Sequence, residues 1–294
     1  MTKEKEKSGR VATVGTFDGL HRGHRKVLDT VKRLAAERGN QPLVVCFDRH
    51  PLETVAPHRA PGLITLPSHR TNALFRDGFD ILTIEFTPEV AALTAEEWLT
   101  RMRDEHGVRT LVIGYDNTFG CDGVGMSIAD YQEMGRRIGM EVVEAPILPG
   151  VSSSAIRKHI AGGRLEEAAD MLGRHFTLTG KVVHGRHLGS ELGFPTANLQ
   201  LAYRALLPSD GVYAAEAFLA DGSRRRAVVN IGNCPTVEHK QERTVEAHII
   251  GLDEDIYGQR LTLKFLRRLR DERKFPSLHD LTAQIRRDIQ EALK

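Results

Sequence analysis

The chain has 294 residues, 40% of them hydrophobic and 27% charged, which is typical of a globular protein and favours two domains over one. Its formal net charge of +2 is too small to indicate a nucleic-acid or membrane partner by itself. The three cysteines, Cys46, Cys121 and Cys234, are far apart, which excludes a disulfide framework and a cysteine-rich zinc site.

The amino-terminal segment is polar, and residues 1–9 are predicted to form a disordered tail. This segment lacks the apolar core of a signal peptide, and no later stretch approaches the roughly 18 apolar residues of a membrane span. We therefore expect a soluble, cytoplasmic protein. The pattern makes no prediction of the oligomeric state.

Residues 11–145 alternate short apolar runs with helical patterns. Strands are predicted at 11–14, 43–47, 81–86, 110–114 and 141–145. After the first strand, apolar residues from Val27 to Ala35 recur at helical spacing, and Gly39 is expected to end that helix. Continuous apolar strands separated by helices predict a Rossmann-like α/β domain, a parallel sheet covered by helices on both faces. Ligands bind such sheets at the carboxyl ends of the strands.

Beyond about residue 175, short alternating strands follow one another with turn residues between them. This pattern predicts a mostly antiparallel β-barrel, with a sandwich as the alternative. A terminal helix is expected after Ser277, with Asp280 at its third position as in a capping box. Because a helical pattern precedes the change in rhythm, we predict a boundary near Arg174, with domains 1–174 and 175–294.

The string GTFDGLHRGH, residues 15–24, is a glycine-rich turn between the first strand and the first helix. Backbone N–H groups and the helix dipole make such a turn a phosphate-binding position. Imidazolium groups at His21 and His24 could also stabilise charge that develops on phosphorus and on a pyrophosphate leaving group. Two alternatives remain open: a zinc ion shared by the two histidines, although no third ligand is nearby, and plain surface histidines.

Two further strings carry groups suited to phosphate chemistry. VSSSAIR, residues 151–157, places hydroxyls and a guanidinium before a helix, where they can hold phosphates or simply cap the helix. In GSELGFPTANL, residues 189–199, Thr196 and Asn198 present oxygens on one face of an extended chain. Such hard oxygens suit Mg²⁺, which completes its shell with water and substrate phosphates. A turn that ends in a strand is the alternative for this second string.

These strings together resemble a known family. GTFDGLHRGH resembles the HxGH motif of nucleotidyltransferases in the form found in the FAD synthetase module of bacterial bifunctional riboflavin kinase/FAD synthetases. VSSSAIR is similar to the ISSTxIR signature of that module, and GSELGFPTAN is similar to the GRxLGFPTAN motif of riboflavin kinases. The strings GVYAA, NIGNCPTV, VEAHIIGLDEDIYG and RDERKF follow in the family's order. The resemblance spans about residues 11–290.

The resemblance implies a bifunctional enzyme that uses ATP and Mg²⁺. The second domain would phosphorylate riboflavin to FMN, and the first would adenylylate FMN to FAD with release of pyrophosphate. Its partners would be these small molecules, with no nucleic acid and no membrane.

For the first domain, the resemblance implies His21 and His24 as the catalytic residues. The residues implied at the ATP phosphates are Gly15, Phe17, Asp18, Gly23, Ser153, Ser154 and Arg157. Those implied near the flavin are Asp48, His50, Pro51, Asp116 and Phe119. A capping or core histidine is the alternative reading of His50.

For the second domain, Glu246 matches the general base that takes the proton from the ribityl 5′-hydroxyl, and an outward-facing strand residue is the alternative. Thr196 and Asn198 would hold Mg²⁺, and Gly193 would lie at the ATP phosphates. Arg270 is implied near the flavin.

The chain departs from the family pattern in GYDNTFGCDGVG, residues 114–125, where Asn117 replaces an aromatic residue and a following arginine is absent. Ser154 replaces the usual threonine, and Ser190 replaces an arginine. Alternatives therefore include a riboflavin kinase with an impaired first domain and a nucleotidyltransferase for another acceptor. A flavin-binding or RNA-binding protein is the non-enzyme alternative, the latter because of the basic segment 267–274.

Overall fold

The structure is a computed structural model that describes residues 9–115, 117–185, 192–235 and 241–294. The chain forms two compact units. The first comprises Met1–Pro61 and Thr65–Val151, and the second comprises Gly62–Ile64 and Ser152–Lys294.

The first unit is built on a five-stranded sheet. Its strands are β1 (Arg10–Val14), β2 (Gln41–Phe47), β3 (Asp80–Ile84), β4 (Val108–Ile113) and β5 (Glu141–Glu144). The spatial order is β3-β2-β1-β4-β5, and all four neighbouring pairs are parallel. The helices are α1 (Arg22–Arg38), α2 (Leu52–Val55), α3 (Pro67–Arg76), α4 (Pro88–Ala92), α5 (Ala95–His106) and α6 (Ile128–Ile138).

Side chains alternate along β1, so the sheet has two buried faces. Val11 packs with Leu28 and Val31 of α1 on one face. Ala12 packs with Trp98 and Leu99 of α5 on the opposite face. Every second residue of a strand points the same way, so a strand that is apolar throughout needs a cover on each side. The predicted Rossmann-like α/β fold is confirmed.

The second unit is a closed six-stranded barrel. Its strands are β6 (Thr177–Val183), β7 (Ala197–Leu201), β8 (Gly211–Phe218), β9 (Arg224–Pro235), β10 (Gln241–Ile249) and β11 (Arg260–Arg270). The order around the barrel is β10-β7-β6-β11-β8-β9, with antiparallel pairs throughout. The helices of this unit are α7 (Ser153–Ala161), α8 (Leu165–Leu172) and the carboxyl-terminal α9 (Leu278–Leu293).

The barrel interior is filled by alternate residues such as Tyr213, Ala215 and Ala217 of β8. Their neighbours on the outer face, Val212 and Ala214, pack with Ala292 of α9. The barrel and the terminal helix are therefore confirmed as predicted. Buried residues of helices α7 and α8 belong to the same hydrophobic core as the barrel, so both helices are part of the second unit. The functional boundary near Arg174 stays a prediction.

Helix ends follow their local sequence. The Ser277 hydroxyl accepts a hydrogen bond from the backbone N–H of Asp280, as the capping pattern predicted. Gly39 ends α1 in the left-handed conformation with a φ of 64°, which glycine adopts without steric cost. Within the described parts of the chain, we find no helix of the length and apolarity that a membrane span needs.

Candidate functional site

The turn between β1 and α1 holds an unusual backbone. Phe17 and Leu20 have φ values of 45° and 44°, in the left-handed region that residues with a Cβ avoid. Both side chains are buried in the core of the first unit. Each such residue costs on the order of 1–3 kcal/mol, and it persists where the surrounding packing stabilises it. The core therefore determines the shape of this turn before any ligand arrives.

His21 ends the turn and caps α1. Its Nδ1 accepts a hydrogen bond from the backbone N–H of His24 at 3.2 Å, so the hydrogen of the neutral ring is on Nε2. The two imidazole rings are stacked with centroids 3.6 Å apart. Two imidazolium rings at that separation would repel each other. The stacking therefore disfavours a state in which both rings are charged, and a catalytic role for the two histidines stays a prediction.

Two glycines allow the close contacts in this turn. A Cβ on Gly23 would lie 3.1 Å from two atoms of the His21 ring, and a Cβ on Gly15 would lie 3.3 Å from the Phe17 ring. Asp18 is buried, and its carboxylate accepts a hydrogen bond from the Thr65 backbone N–H at 2.8 Å. Asp18 therefore shapes the turn, and its contact with ATP phosphates stays a prediction.

Three of the predicted flavin-side residues, Asp48, His50 and Pro51, follow the carboxyl end of β2. Asp48 accepts a hydrogen bond from the Phe86 N–H at 2.9 Å and pairs with Arg49. Burial acts to raise the pKa of the Asp48 carboxyl, but the Phe86 N–H and the Arg49 guanidinium outweigh it and lower that pKa. Asp48 thus joins the ends of β2 and β3.

His50 and Pro51 lie at the start of α2. The His50 ring Nδ1 accepts a hydrogen bond from the Leu52 N–H at 3.2 Å. This contact lies at the start of α2, whose cap position is Pro51. A role beside the flavin stays a prediction for both residues.

Phe119 belongs to an aromatic cluster. Its ring lies 4.4 Å from that of Tyr131 and 5.7 Å from that of Trp98, centroid to centroid. The Tyr131 hydroxyl accepts a hydrogen bond from the Phe119 N–H and donates one to the Phe119 carbonyl. Asp116, the other flavin-side residue of this loop, lies outside the described residues, as does Ser190.

The serines of VSSSAIR form the start of α7 in the second unit. Ser152 is the cap of this helix: its hydroxyl accepts a hydrogen bond from the Ala155 N–H at 3.2 Å. Ser153 and the exposed Ser154 occupy the first helical positions. Arg157 donates from Nε to the Gly62 carbonyl at 2.9 Å. Contact of these residues with a triphosphate stays a prediction.

The barrel brings three polar residues side by side on its outer face. Glu246 of β10 lies directly opposite Asn198 of β7 and, on its other side, opposite Asn230 of β9. The neighbours of Glu246 along β10, Val245 and Ala247, point into the core. Because side chains alternate along a strand, Glu246 points outward. Asn230 was not predicted, since only the strand register places it here.

Two clefts meet beside these strands. One, of about 370 Å³, is lined by His184, Gly185 and Asn198, among others. The other, of about 680 Å³, lies between the barrel and α9 and is lined by Glu246 and Arg270, among others. Thr196 lines both clefts. A phosphoryl group passing from one cleft to the other would therefore pass Thr196. Gly193 lies on the turn that precedes this segment, with a φ of 81°.

Arg270 is held in an ion pair at the wall of the larger cleft. Its Nε lies 3.1 and 3.0 Å from the two carboxylate oxygens of Asp288, and its Nη2 lies 2.8 Å from one of them. The Asp288 side chain is only 5% exposed. Gln284 of α9 also donates to this carboxylate. Arg270 thus fastens β11 to α9, and its predicted contact with flavin stays a prediction.

The residues that could hold a magnesium ion offer neutral oxygens. Within the described ranges, no group of three or more histidine, cysteine or acidic side chains could hold a metal ion. The Thr196 hydroxyl and the Asn198 amide oxygen both belong to residues that line the smaller cleft, and they could serve as ligands. A Cβ on Gly185 would lie 2.0 Å from the Asn198 amide, so glycine is required for this approach. This donor set fits Mg²⁺, which binds few protein oxygens and several substrate oxygens.

Comparisons with known proteins cover both units. The FAD synthetase family matches residues 3–156, and the riboflavin kinase family matches residues 172–294. A bifunctional riboflavin kinase/FMN adenylyltransferase of Pseudomonas fluorescens is 36% identical over 97% of this chain and 92% of that protein. A protein of the same description from Escherichia coli K12 is 34% identical over 95% of this chain and 90% of that protein. Another from Bacillus subtilis 168 is 32% identical over 99% of this chain and 94% of that protein.

A solved structure also matches nearly the whole chain. It is described as a macrolide-efflux protein from Streptococcus pneumoniae, with a TM-score of 0.88, 30% identity and coverage of 98% of this chain and 94% of that one. That description belongs to the other protein, and the two chains share their fold.

The α/β unit with a histidine-bearing turn and the barrel with two joined clefts define a two-domain transferase that acts on nucleotide phosphates. With the family matches, the assignment becomes specific. The chain belongs to the bifunctional riboflavin kinase/FMN adenylyltransferase family, and the resemblance in its motifs is confirmed.

Proposed function

We propose that the chain makes FAD from riboflavin in two ATP-dependent steps. Residues 175–294 carry the riboflavin kinase, and residues 1–174 carry the FMN adenylyltransferase. The substrates are riboflavin, FMN and ATP, and no nucleic acid or membrane takes part. The reactions occur in the cytoplasm.

In the kinase step, ATP occupies the smaller cleft and riboflavin the larger one. Glu246 takes the proton of the ribityl 5′-hydroxyl as that oxygen bonds to the γ-phosphorus, and the bond to the β-phosphate oxygen breaks, which releases ADP. A Mg²⁺ ion held by the Thr196 hydroxyl and the Asn198 amide oxygen would neutralise charge on the phosphates. Arg270 and α9 hold the flavin side of the cleft in place.

In the adenylyl transfer step, a phosphate oxygen of FMN bonds to the α-phosphorus of ATP, and pyrophosphate leaves. The FMN phosphate is already ionised at neutral pH, so this step needs no general base. Catalysis then depends on positioning and on stabilising negative charge. His21, His24 and the amino end of α1 supply that stabilisation. The family resemblance assigns Ser153, Ser154 and Arg157 to the triphosphate.

One observation carries the kinase assignment: Thr196 lines both clefts. Asn198 lines the smaller cleft and Glu246 lines the larger one. Asn198 and Glu246 lie opposite each other on the paired strands β7 and β10. A phosphate donor and a hydroxyl acceptor bound in the two clefts would meet at these residues. That is the arrangement a direct phosphoryl transfer needs.

The test is chromatography of the flavins after the protein is incubated with ATP and Mg²⁺, once with riboflavin and once with FMN. FAD in both tubes is the expected result. FMN from riboflavin without FAD in either tube would leave a riboflavin kinase with a silent first domain. No new flavin in either tube would overturn the proposal. A tube without Mg²⁺ but with a chelator should show neither product.

A further inference from the structure

The loop at 114–125 carries the chain's clearest departure from the family pattern, and Asn117 is its centre. Asn117 Nδ2 donates a hydrogen bond to the Val14 carbonyl at 2.7 Å. Its own backbone N–H donates to the Gly114 carbonyl at 3.1 Å, which closes the turn after β4. The side chain therefore spans from the end of β4 to the end of β1.

The Val14 carbonyl lies where the sheet pairing stops. The Gly15 N–H donates to Val45 of β2, and backbone groups alternate sides along a strand, so Val14 faces β4. The pairing between β1 and β4 ends at Thr13, opposite Val112. The Asn117 amide thus takes the place of the next backbone donor. A phenylalanine, the aromatic residue of the family pattern, has no side-chain donor for this position.

The same loop is anchored at two other places. Phe119 is bonded through its backbone to the Tyr131 hydroxyl on α6, and the Asp122 carboxylate accepts a hydrogen bond from the Ala95 N–H on α5 at 2.8 Å. Of these three anchors, Asn117 alone reaches β1. It contacts Val14, one residue before the turn between β1 and α1 begins. It therefore sets the position of the loop relative to that turn.

We propose that Asn117 is a positioning residue for adenylyl transfer. It holds the loop at 114–125 in a fixed position relative to the turn between β1 and α1. This inference rests on the proposed FMN adenylyltransferase function. The reaction requires an FMN oxygen and the α-phosphorus of ATP to meet within about 3–3.5 Å, and a misplacement of about 1 Å can cost 100-fold in rate. The asparagine thus replaces the family's aromatic residue with a polar tether.

The test uses the full chain with Asn117→Asp, which keeps the shape but sets a carboxylate oxygen against the Val14 carbonyl. The kcat for FAD formation from FMN should fall at least tenfold. The dissociation constants of FMN and of ATP, measured separately by calorimetry, should change less than threefold, with the binding stoichiometry unchanged. Asp122→Ala, which loosens the same loop at α5, should keep kcat within threefold of the unaltered protein.

The outcomes separate the two proposals. If the unaltered protein makes no FAD from FMN, the adenylyltransferase function fails and this inference fails with it. If the unaltered protein makes FAD and Asn117→Asp does so at a similar kcat, only the positioning role is overturned. A fall in binding stoichiometry that matches the fall in kcat, or an equal loss in Asp122→Ala, would also overturn it, because either shows general loosening of the loop.

Discussion

His21 and His24 make different contacts although they stand three residues apart in one motif. His21 is buried, and its Nδ1 caps α1 by accepting a hydrogen bond from the His24 N–H. His24 is stacked on it from the first turn of the helix. The helix cap uses the backbone N–H of His24, so a change of the His24 ring leaves the cap intact.

We predict that His24→Ala lowers the rate of FAD formation from FMN by about 100-fold or more, as the loss of a charge-stabilising group at a phosphoryl centre does. Formation of FMN from riboflavin should be unchanged, because that chemistry is assigned to the other unit. Both rates can be followed by flavin chromatography. An equal loss of the two activities would contradict the assignment of His24.

Glu246→Gln should do the reverse. The glutamine keeps the size of the side chain but cannot accept the hydroxyl proton, and general-base catalysis contributes about 100- to 10,000-fold. Riboflavin phosphorylation should fall by at least 100-fold, while FMN adenylylation continues. A variant that phosphorylates riboflavin at the normal rate would remove Glu246 as the base.

At the scale of elements, the ion pair between Arg270 and Asp288 fastens α9 to the barrel beside the larger cleft. Breaking a buried pair leaves the partner's charge uncompensated, at about 3–5 kcal/mol. We predict that Arg270→Ala lowers the unfolding free energy by about 3 kcal/mol and raises the KM for riboflavin. Thermal unfolding and kinase assays measure the two effects.

Arg267→Ala is the matched control, because Arg267 also joins β11 to α9 but pairs with Glu291 on the surface. Its loss should cost less than about 1 kcal/mol. Asp288→Asn separates fastening from direct flavin contact, since Arg270 remains. If Asp288→Asn leaves the KM for riboflavin normal while Arg270→Ala raises it, the effect comes from Arg270 itself and the fastening role is wrong.

Asp48 joins the ends of two strands, and the stability of this joint should depend on pH. The pKa of Asp48 is lowered by the Phe86 N–H and by Arg49, against the opposing effect of burial. A group whose pKa is lower in the folded state stabilises the fold above its unfolded pKa, about 3.9, and loses that effect as the pH falls through the folded value.

Asp48→Asn, which keeps an acceptor but removes the charge, should therefore lower the unfolding free energy by about 1 kcal/mol at pH 7. The difference in unfolding free energy between this variant and the unaltered protein should shrink towards zero in strong acid. Denaturant unfolding at several pH values measures it. A difference that stays constant from pH 7 down to pH 2 would show that the charge contributes nothing.

At the scale of the whole molecule, the residues of the barrel site all belong to one compact unit, and the histidine turn belongs to the other. A mixture of the His24→Ala and Glu246→Gln variants should therefore form FAD from riboflavin much faster than either variant does alone. FMN made by the first variant must reach the second through solution, so FAD should appear after a lag. FMN that accumulates with no FAD in the mixture would contradict exchange through solution.

The sequence by itself determined the features that depend on neighbouring residues. Apolar runs and helical spacing predicted the parallel sheet, and alternation predicted the barrel. Ser277 with Asp280 predicted the start of α9. The position of the histidine pair could also be predicted from the sequence, because a strand, a glycine turn and a helix follow one another within one short string. In each case the forces act between residues a few positions apart.

Only the tertiary structure decided what lies together across the chain. Asn198, Asn230 and Glu246 become neighbours through the register of three strands, which a shift of one residue would reverse. Asn117 reaches Val14 across about 100 residues, and the Asp48 carboxylate reaches the Phe86 N–H across 38. Such contacts depend on strand pairing and chain crossing, which set distances that no local pattern encodes.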